Sequence, residues 1–148
     1  MAFYRERFAA TGLFENHVYD GVRAMLAQAG RRAAAMYVVT SKPAVYAGRI
    51  VEHFGLDDHF RQVYGSELDG RHDSKAELVN HLITTENLSI EAAVMIGDRA
   101  VDILAAKANG LRSIGVLWGY GSERELVDAG ADIVCRPPRD LTSHLSRM

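Results

Sequence analysis

The chain has 148 residues, 48% hydrophobic and 24% charged, with a net charge of −2, the profile of one soluble globular domain long enough to bury a core. A near-neutral balance without a basic run leaves no nucleic-acid footprint, and nothing approaches the roughly 18 consecutive apolar residues of a membrane span or opens like a signal peptide. One cysteine, Cys135, excludes an intrachain disulfide and fits a reducing cytoplasm, while six scattered histidines lack the spacing of a zinc site.

Met1 to about Thr11 reads as helical, with Phe3, Tyr4 and Phe8 free to pack, until Gly12 breaks the pattern. Val18, Val22, Met25, Leu26 and Ala29 recur at helical spacing up to Gly30. Ala33 to Thr40 is an apolar run expected as a buried strand, and Lys42-Pro43 is expected to open a helix with Ala44, Ala47, Val51 and Phe54 inward. Gln62 to Gly65 suits a short strand. Ser74 with Glu77 makes a capping box for a helix carrying Leu78, Val79, Leu82 and Ile83. Ala93 to Ile96 reads as a fully buried strand, followed by a helix whose apolar positions are Val101, Leu104, Ala105, Ala108 and Leu111. Ser113 to Leu117 is a further strand, Ser122 and Glu125 cap a short helix, Ala131 to Val134 is a last strand, and Asp140 to Leu145 a terminal helix. Strands alternating with helices, with no hairpin signal, predict a parallel sheet covered on both faces. Ligands of such sheets sit outside the carboxyl ends of the strands.

Three constellations fall at those ends. Gly97-Asp98 with Asp102 four residues on puts two carboxylates at a strand tip and the following turn, a hard oxygen pair suited to Mg²⁺. The same two residues would also serve simply as helix-capping groups. Thr40-Ser41-Lys42 offers hydroxyls and backbone N–H groups to an anion, or a cap. Lys75, at the start of a helix, can give a point charge to a phosphate or stand solvated.

The joint order of these motifs resembles the haloacid dehalogenase-like (HAD) hydrolase superfamily, in particular its phosphoglycolate phosphatase-like branch. Val38-Val39-Thr40-Ser41-Lys42-Pro43 looks like the second motif, Asp73-Ser74-Lys75-Ala76-Glu77 the third, and Gly97-Asp98-Arg99-Ala100-Val101-Asp102 with Ala106, Asn109 and Gly110 the fourth. Leu13 to Asn16, Tyr19-Asp20-Gly21, Tyr64 to Gly70 and Gly115 to Gly121 also look typical of that branch. The resemblance implies a three-layer α/β/α, Rossmann-like core and a Mg²⁺-dependent hydrolysis of a small phosphorylated metabolite through an aspartyl-phosphate. It implies Thr40, Ser41 and Lys75 as phosphate-binding residues, Asp98 and Asp102 at the metal, Lys75 as charge balance, and Asp102 as an alternative second-layer support.

One motif of the superfamily is absent. No D-x-D occurs in the sequence, so the nucleophilic and acid/base aspartates of the first motif have no counterpart. The resemblance therefore makes residues 1–16 a remnant of a helical cap and linker and residues 17–148 a core without its first strand. In the superfamily that strand lies between the strands matching Met36–Thr40 and Ala93–Ile96. Without it, two strands would stand about 4.8 Å too far apart to pair. Buried unpaired backbone groups cost on the order of 1–3 kcal/mol each, so the two strands are expected to close up directly, or a segment of a partner or second copy to fill the gap. The rival reading is a non-catalytic half-domain that binds phosphate or metal. A response-regulator receiver would need acidic residues after its first and third strands, and these are missing. Trp118 to Gly121 suits a rim of the site or a plain surface loop, and Cys135 a buried small residue rather than a nucleophile.

Overall fold

Residues 17–72 and 74–148 are described by the structure, a computed structural model. The expected helix at the amino terminus, with Phe3, Tyr4 and Phe8, and the residue Asp73 before Lys75 lie outside the described residues. Helices and strands alternate as α1 (Val22–Gly30), β1 (Tyr37–Pro43), α2 (Ala44–His53), β2 (Gln62–Ser66), α3 (Lys75–Glu86), β3 (Val94–Gly97), α4 (Ala100–Ala108), β4 (Arg112–Val116), α5 (Glu123–Ala129), β5 (Ile133–Cys135) and α6 (Leu141–Leu145). Every strand pair is parallel, and each consecutive pair of strands is joined through a helix, as an α/β chain requires.

The strands form two sheets, β1-β2 and β3-β4-β5. Tyr37 to Val39 run opposite Gln62 to Tyr64, Val94 to Gly97 opposite Arg112 to Gly115, and Ile114 to Val116 opposite Ile133 to Cys135. No ladder joins β1 to β3 among the described residues. Direct closure, one of the two expected outcomes, is therefore not what these strands do. The reason lies in α3, which packs on both sheets at once. Its Leu78 and Leu82 bury Tyr64 with Tyr37, while Val79 joins Met95 of β3 and Ala105 and Ala106 of α4, with Val39 of β1 against the same cluster. Sliding β1 onto β3 would pull it away from that shared apolar seam.

Helices α4 and α5 cover the same side of the β3-β4-β5 sheet, where Ile103, Leu126 and Ala129 pack with Leu117 and Val134. The opposite face belongs to α1 and α6: Met25, Leu26 and Leu141 enclose Ile114, Val116 and Cys135. Strand alternation thus sends Ile114 and Val116 to one layer and leaves small Gly115 beneath Leu126. No helix among the described residues is long and apolar enough to cross a membrane.

Three local expectations are corrected. The first strand begins at Tyr37, not Ala33, and runs on to Pro43, so α2 starts at Ala44 rather than at Lys42. A residue before proline is biased to extended backbone, which keeps Lys42 in the strand. Ile96 is 40% exposed although Met95 beside it is buried, so β3 is not covered on both faces. On α4, Val101 and Leu104 face outward, and the inward stripe is Asp102, Ile103, Ala105 and Ala106. Two apolar stripes fit the same periodicity, and the small alanines win because α3 packs closely there.

Candidate functional site

β3 ends at Gly97, and the chain doubles back at once into α4. A Cβ on Gly97 would lie 2.2 Å from Asp102 Cβ and 2.6 Å from its Oδ2, closer than side chains can approach, so glycine is required for the return. Asp102 Oδ2 then accepts hydrogen bonds from the amides of Asp98 and Arg99, both at 3.2 Å. A carboxylate here satisfies amides at the start of the helix and complements the positive end of its dipole. Its other oxygen, Oδ1, lies 3.1 Å from Lys75 Nζ. The two side chains are only 7% and 10% exposed, which makes this a buried ion pair between α3 and α4. Lys75 Nζ also donates to the Val39 carbonyl of β1 at 3.3 Å. One ammonium thus spans the two sheets, and Asn109 Nδ2 adds a further tie to the Ala76 carbonyl of α3 at 3.0 Å.

Asp98 is half-buried at the tip of β3. Its Oδ2 accepts from the Tyr120 amide at 2.8 Å, which brings the loop after β4 onto the carboxylate. A Cβ on Gly119 would fall 2.3 Å from that oxygen, and one on Gly121 2.0 Å from the Asp98 carbonyl. Both glycines are therefore part of the site's wall. Beside them Glu125 Oε1 accepts from Ala100 N and from Arg99 Nε, each at 2.8 Å. The Ala100 amide first, and the Arg99 guanidinium second, hold the Glu125 carboxyl below its usual range, and the same contact raises Arg99.

Thr40 sits where β1 leaves its ladder. Val39 pairs with Tyr64 and Pro43 with Ser66, so the register slips between them. Within this slip Thr40 Oγ1 accepts from the Lys42 amide at 3.2 Å. Ser41 is exposed, and its backbone carbonyl accepts from Ser66 Oγ at 3.2 Å. Of the expected site residues, Lys75, Asp98 and Asp102 are joined by direct or shared hydrogen bonds, and Thr40 is the neighbour of the residue that holds Lys75. No hydrogen bond links Ser41 to the carboxylates among the described residues.

The donor set bears on a metal. Among the described residues no three His, Cys, Asp or Glu side chains converge. Both Asp102 oxygens are engaged, whereas Asp98 Oδ1 has no hydrogen bond among the described residues. One free carboxylate oxygen is the minimum for a small hard cation that keeps most of its waters and takes phosphate oxygens besides.

Sequence patterns located Ser122 and Glu125 as a capping box, and Ser122 Oγ does accept from the Glu125 amide at 3.1 Å. The Glu125 side chain, however, crosses to α4. The loop from Trp118 to Gly121, expected as either a rim of the site or a plain surface loop, meets Asp98 through Gly119, Tyr120 and Gly121, whereas no spacing marked the Glu125 carboxylate, whose partners lie more than twenty residues away. Cys135 is fully buried, its thiol donates to the Pro137 carbonyl at 3.3 Å, and burial pushes its pKa up, away from nucleophilic use.

The profile of the family described as haloacid dehalogenase-like hydrolase matches residues 1–116. A protein named 5'-nucleotidase from Pseudomonas aeruginosa is 51% identical over 123 residues, 83% of this chain and 56% of that protein. Phosphoglycolate phosphatase from Vibrio cholerae is 29% identical over 88% of this chain and 58% of its own length. The crystal structure of a protein described as a predicted phosphatase from Clostridium acetobutylicum superposes with a TM-score of 0.95 at 38% identity, covering 99% of this chain and 68% of that one. The chain spans about half the length of the curated relatives it matches.

Proposed function

The chain belongs to the haloacid dehalogenase-like hydrolase family, a family of enzymes, and we propose that its site is the phosphate-binding half of a Mg²⁺-dependent phosphomonoesterase. The observation that carries this reading is the buried Lys75–Asp102 pair, anchored to Val39 and lying beside Asp98. A cation so deeply desolvated and fixed at strand ends is prepared to meet a phosphoryl group, because no reorganisation is needed when charge arrives.

Each residue has a role in this proposal. Thr40, and Ser41 next to it, would bind phosphoryl oxygens through hydroxyls and amides at the loosened end of β1. Lys75 would balance the negative charge. Asp98 would hold Mg²⁺ through its free oxygen, and the cation would neutralise charge on the phosphoryl oxygens. With both oxygens already engaged, Asp102 suits the positioning role, fixing Lys75 and the Asp98 turn. The chemistry would be attack of a carboxylate on phosphorus with departure of the alcohol, then attack of water on the aspartyl-phosphate, releasing phosphate and freeing the carboxylate.

The carboxylate would come from outside the motifs found here, since no D-x-D is present. We place it on an extended segment lying between β1 and β3, whose facing edges have no strand partner among the described residues. The exposed Ile96 on β3 favours such a cover. Small phosphate esters of the kinds named by the relatives, nucleoside monophosphates and phosphoglycolate, are the first substrates to try. The rival, a half-domain that binds phosphate without turnover, shares the same site.

Calorimetric titration with inorganic phosphate in the presence of Mg²⁺ tests the site itself. Binding that weakens about tenfold or more in Asp98→Asn and in Thr40→Val, the loss of a charge-assisted contact, is the expected result. Absence of binding, or affinity indifferent to both substitutions, would overturn it.

A further inference from the structure

Three successive amides line the turn between β3 and α4, and carboxylates from two different helices take all of them. Asp102 Oδ2 accepts from Asp98 N and Arg99 N, while Glu125 Oε1, reaching across from the first turn of α5, accepts from Ala100 N at 2.8 Å. The same Oε1 accepts from Arg99 Nε, also at 2.8 Å. The Arg99 and Glu125 side chains are 54% and 27% exposed, so the pair adds little to stability by itself. Its place in the molecule gives it a different use. A Cβ on Gly121 would lie 2.0 Å from the Asp98 carbonyl oxygen and 3.5 Å from Glu125 Cδ, so the Glu125 carboxyl sits close against the residue proposed to hold the cation. Arg99 directly follows Asp98 in the chain, and its long side chain has the reach to fold back onto the Asp98 carboxylate. Oδ1 of that carboxylate has no hydrogen bond among the described residues, whereas Oδ2 is held by the Tyr120 amide. A guanidinium and a hard divalent cation compete for the same free oxygen.

We propose that Glu125 is a positioning residue of the candidate cation site: it holds the Arg99 guanidinium away from Asp98 Oδ1 and so keeps that oxygen open to a divalent cation. The proposal rests on the reading of Asp98 as the metal ligand and adds what keeps that ligand available. Glu125 does not touch the cation. It acts through Arg99, whose charge is permanent and whose fork of donors suits any carboxylate within reach. Glu125→Gln retains a carbonyl oxygen for the Ala100 amide but loses the charge that retains the guanidinium. In that variant Arg99 is released beside Asp98 and competes with the cation from within the same turn.

The test is calorimetric titration with Mg²⁺ in the presence of inorganic phosphate, each variant's folded state being checked by thermal unfolding. Glu125→Gln should weaken Mg²⁺ binding about two- to fivefold, the range an exposed ion pair can supply as a competitor. Adding Arg99→Ala to Glu125→Gln should restore the wild-type affinity, which a merely structural role of Glu125 would not allow. Arg99→Ala alone should bind Mg²⁺ at least as tightly as the wild type. Glu123→Gln makes the same change of charge on α5, where the carboxylate pairs with Arg136 at 2.7 Å, and should leave the affinity unchanged. An unaltered affinity in Glu125→Gln, no recovery in the double variant, weaker binding in Arg99→Ala, or an equal loss in Glu123→Gln would each overturn the proposal while Asp98→Asn still abolishes binding. If the wild type takes up no Mg²⁺, or Asp98→Asn makes no difference, the reading of Asp98 fails and this proposal falls with it.

Discussion

Lys75 is the residue on which the arrangement depends. It sits at the first turn of α3, reaches the Val39 carbonyl of β1 and pairs with Asp102 at the first turn of α4. Lys75→Met would leave the Asp102 carboxylate buried without its cation, a change that costs about 3–5 kcal/mol, a large share of the 5–15 kcal/mol typical of a domain. Urea denaturation should show a fall of that size, and a loss below about 1 kcal/mol would mean the pair is far better solvated than its burial states. At the other end of α3, Tyr64 donates to Glu86 Oε1 at 2.6 Å, and Tyr37 to Oε2 at 3.1 Å. Burial first, and the Glu86 contact second, push the Tyr64 pKa up to about 12 from 10.0. The folded state holds this proton more tightly than the unfolded chain does. Its stabilising contribution is therefore complete below pH 10 and lost as pH rises through about 12. Stability measured by urea should decline in that window more steeply for the wild type than for Tyr64→Phe, and equal slopes would contradict the assignment. Lys75, Asp98, Asp102 and Thr40 were legible in the sequence as candidates because each sits in a short motif at a strand end or a helix start. The loop from Trp118 to Gly121 was legible only as a rim of the site or a plain surface loop, and Glu125 only as a capping residue, because their contacts with Asp98, Arg99 and Ala100 span more than twenty residues of sequence.

At the scale of elements, the alternation of strand and helix was plain from periodicity and caps. Ser74 and Ser122 each accept from the amide three residues on, and both helices begin where those caps place them. Boundaries drifted where two signals competed, as at β1, where Pro43 keeps the chain extended beyond Thr40. Periodicity alone could not decide which stripe of α4 turns inward, since Val101 and Leu104 are as apolar as Ile103, and close packing against α3 selects the alanines. Nor does periodicity carry the split of the strands into two sheets, because pairing partners are a property of the whole assembly. Hydrogen exchange measures the consequence. Among the described residues β4 is paired on both sides, whereas β1 and β3 are each paired on one. The amides of Ile114 and Gly115 should therefore exchange slowest. A share of those in Val38 to Thr40 and Val94 to Ile96 should exchange much faster, since an unpaired edge opens without breaking a ladder. Uniform protection across β1, β3 and β4 would mean that the gap is filled in solution.

For the molecule as a whole, fold and chemistry lead to one statement. Two sheets are held together by a shared helix and a buried ion pair, and the groups proposed to bind phosphate and metal, Thr40, Lys75 and Asp98, lie near strand ends beside the slot between β1 and β3, which do not pair among the described residues. In the proposed account the slot takes an extended segment in parallel, and that segment supplies the attacking carboxylate. The most direct measurement is Mg²⁺-dependent hydrolysis of p-nitrophenyl phosphate by a sample whose intact mass matches this sequence, alone and with a synthetic apolar segment ending in D-x-D. The account predicts no turnover by the chain alone, turnover on adding the segment, and its loss in Asp98→Ala. Turnover by the chain alone that disappears in Asp98→Ala would contradict it, placing a working nucleophile within these 148 residues.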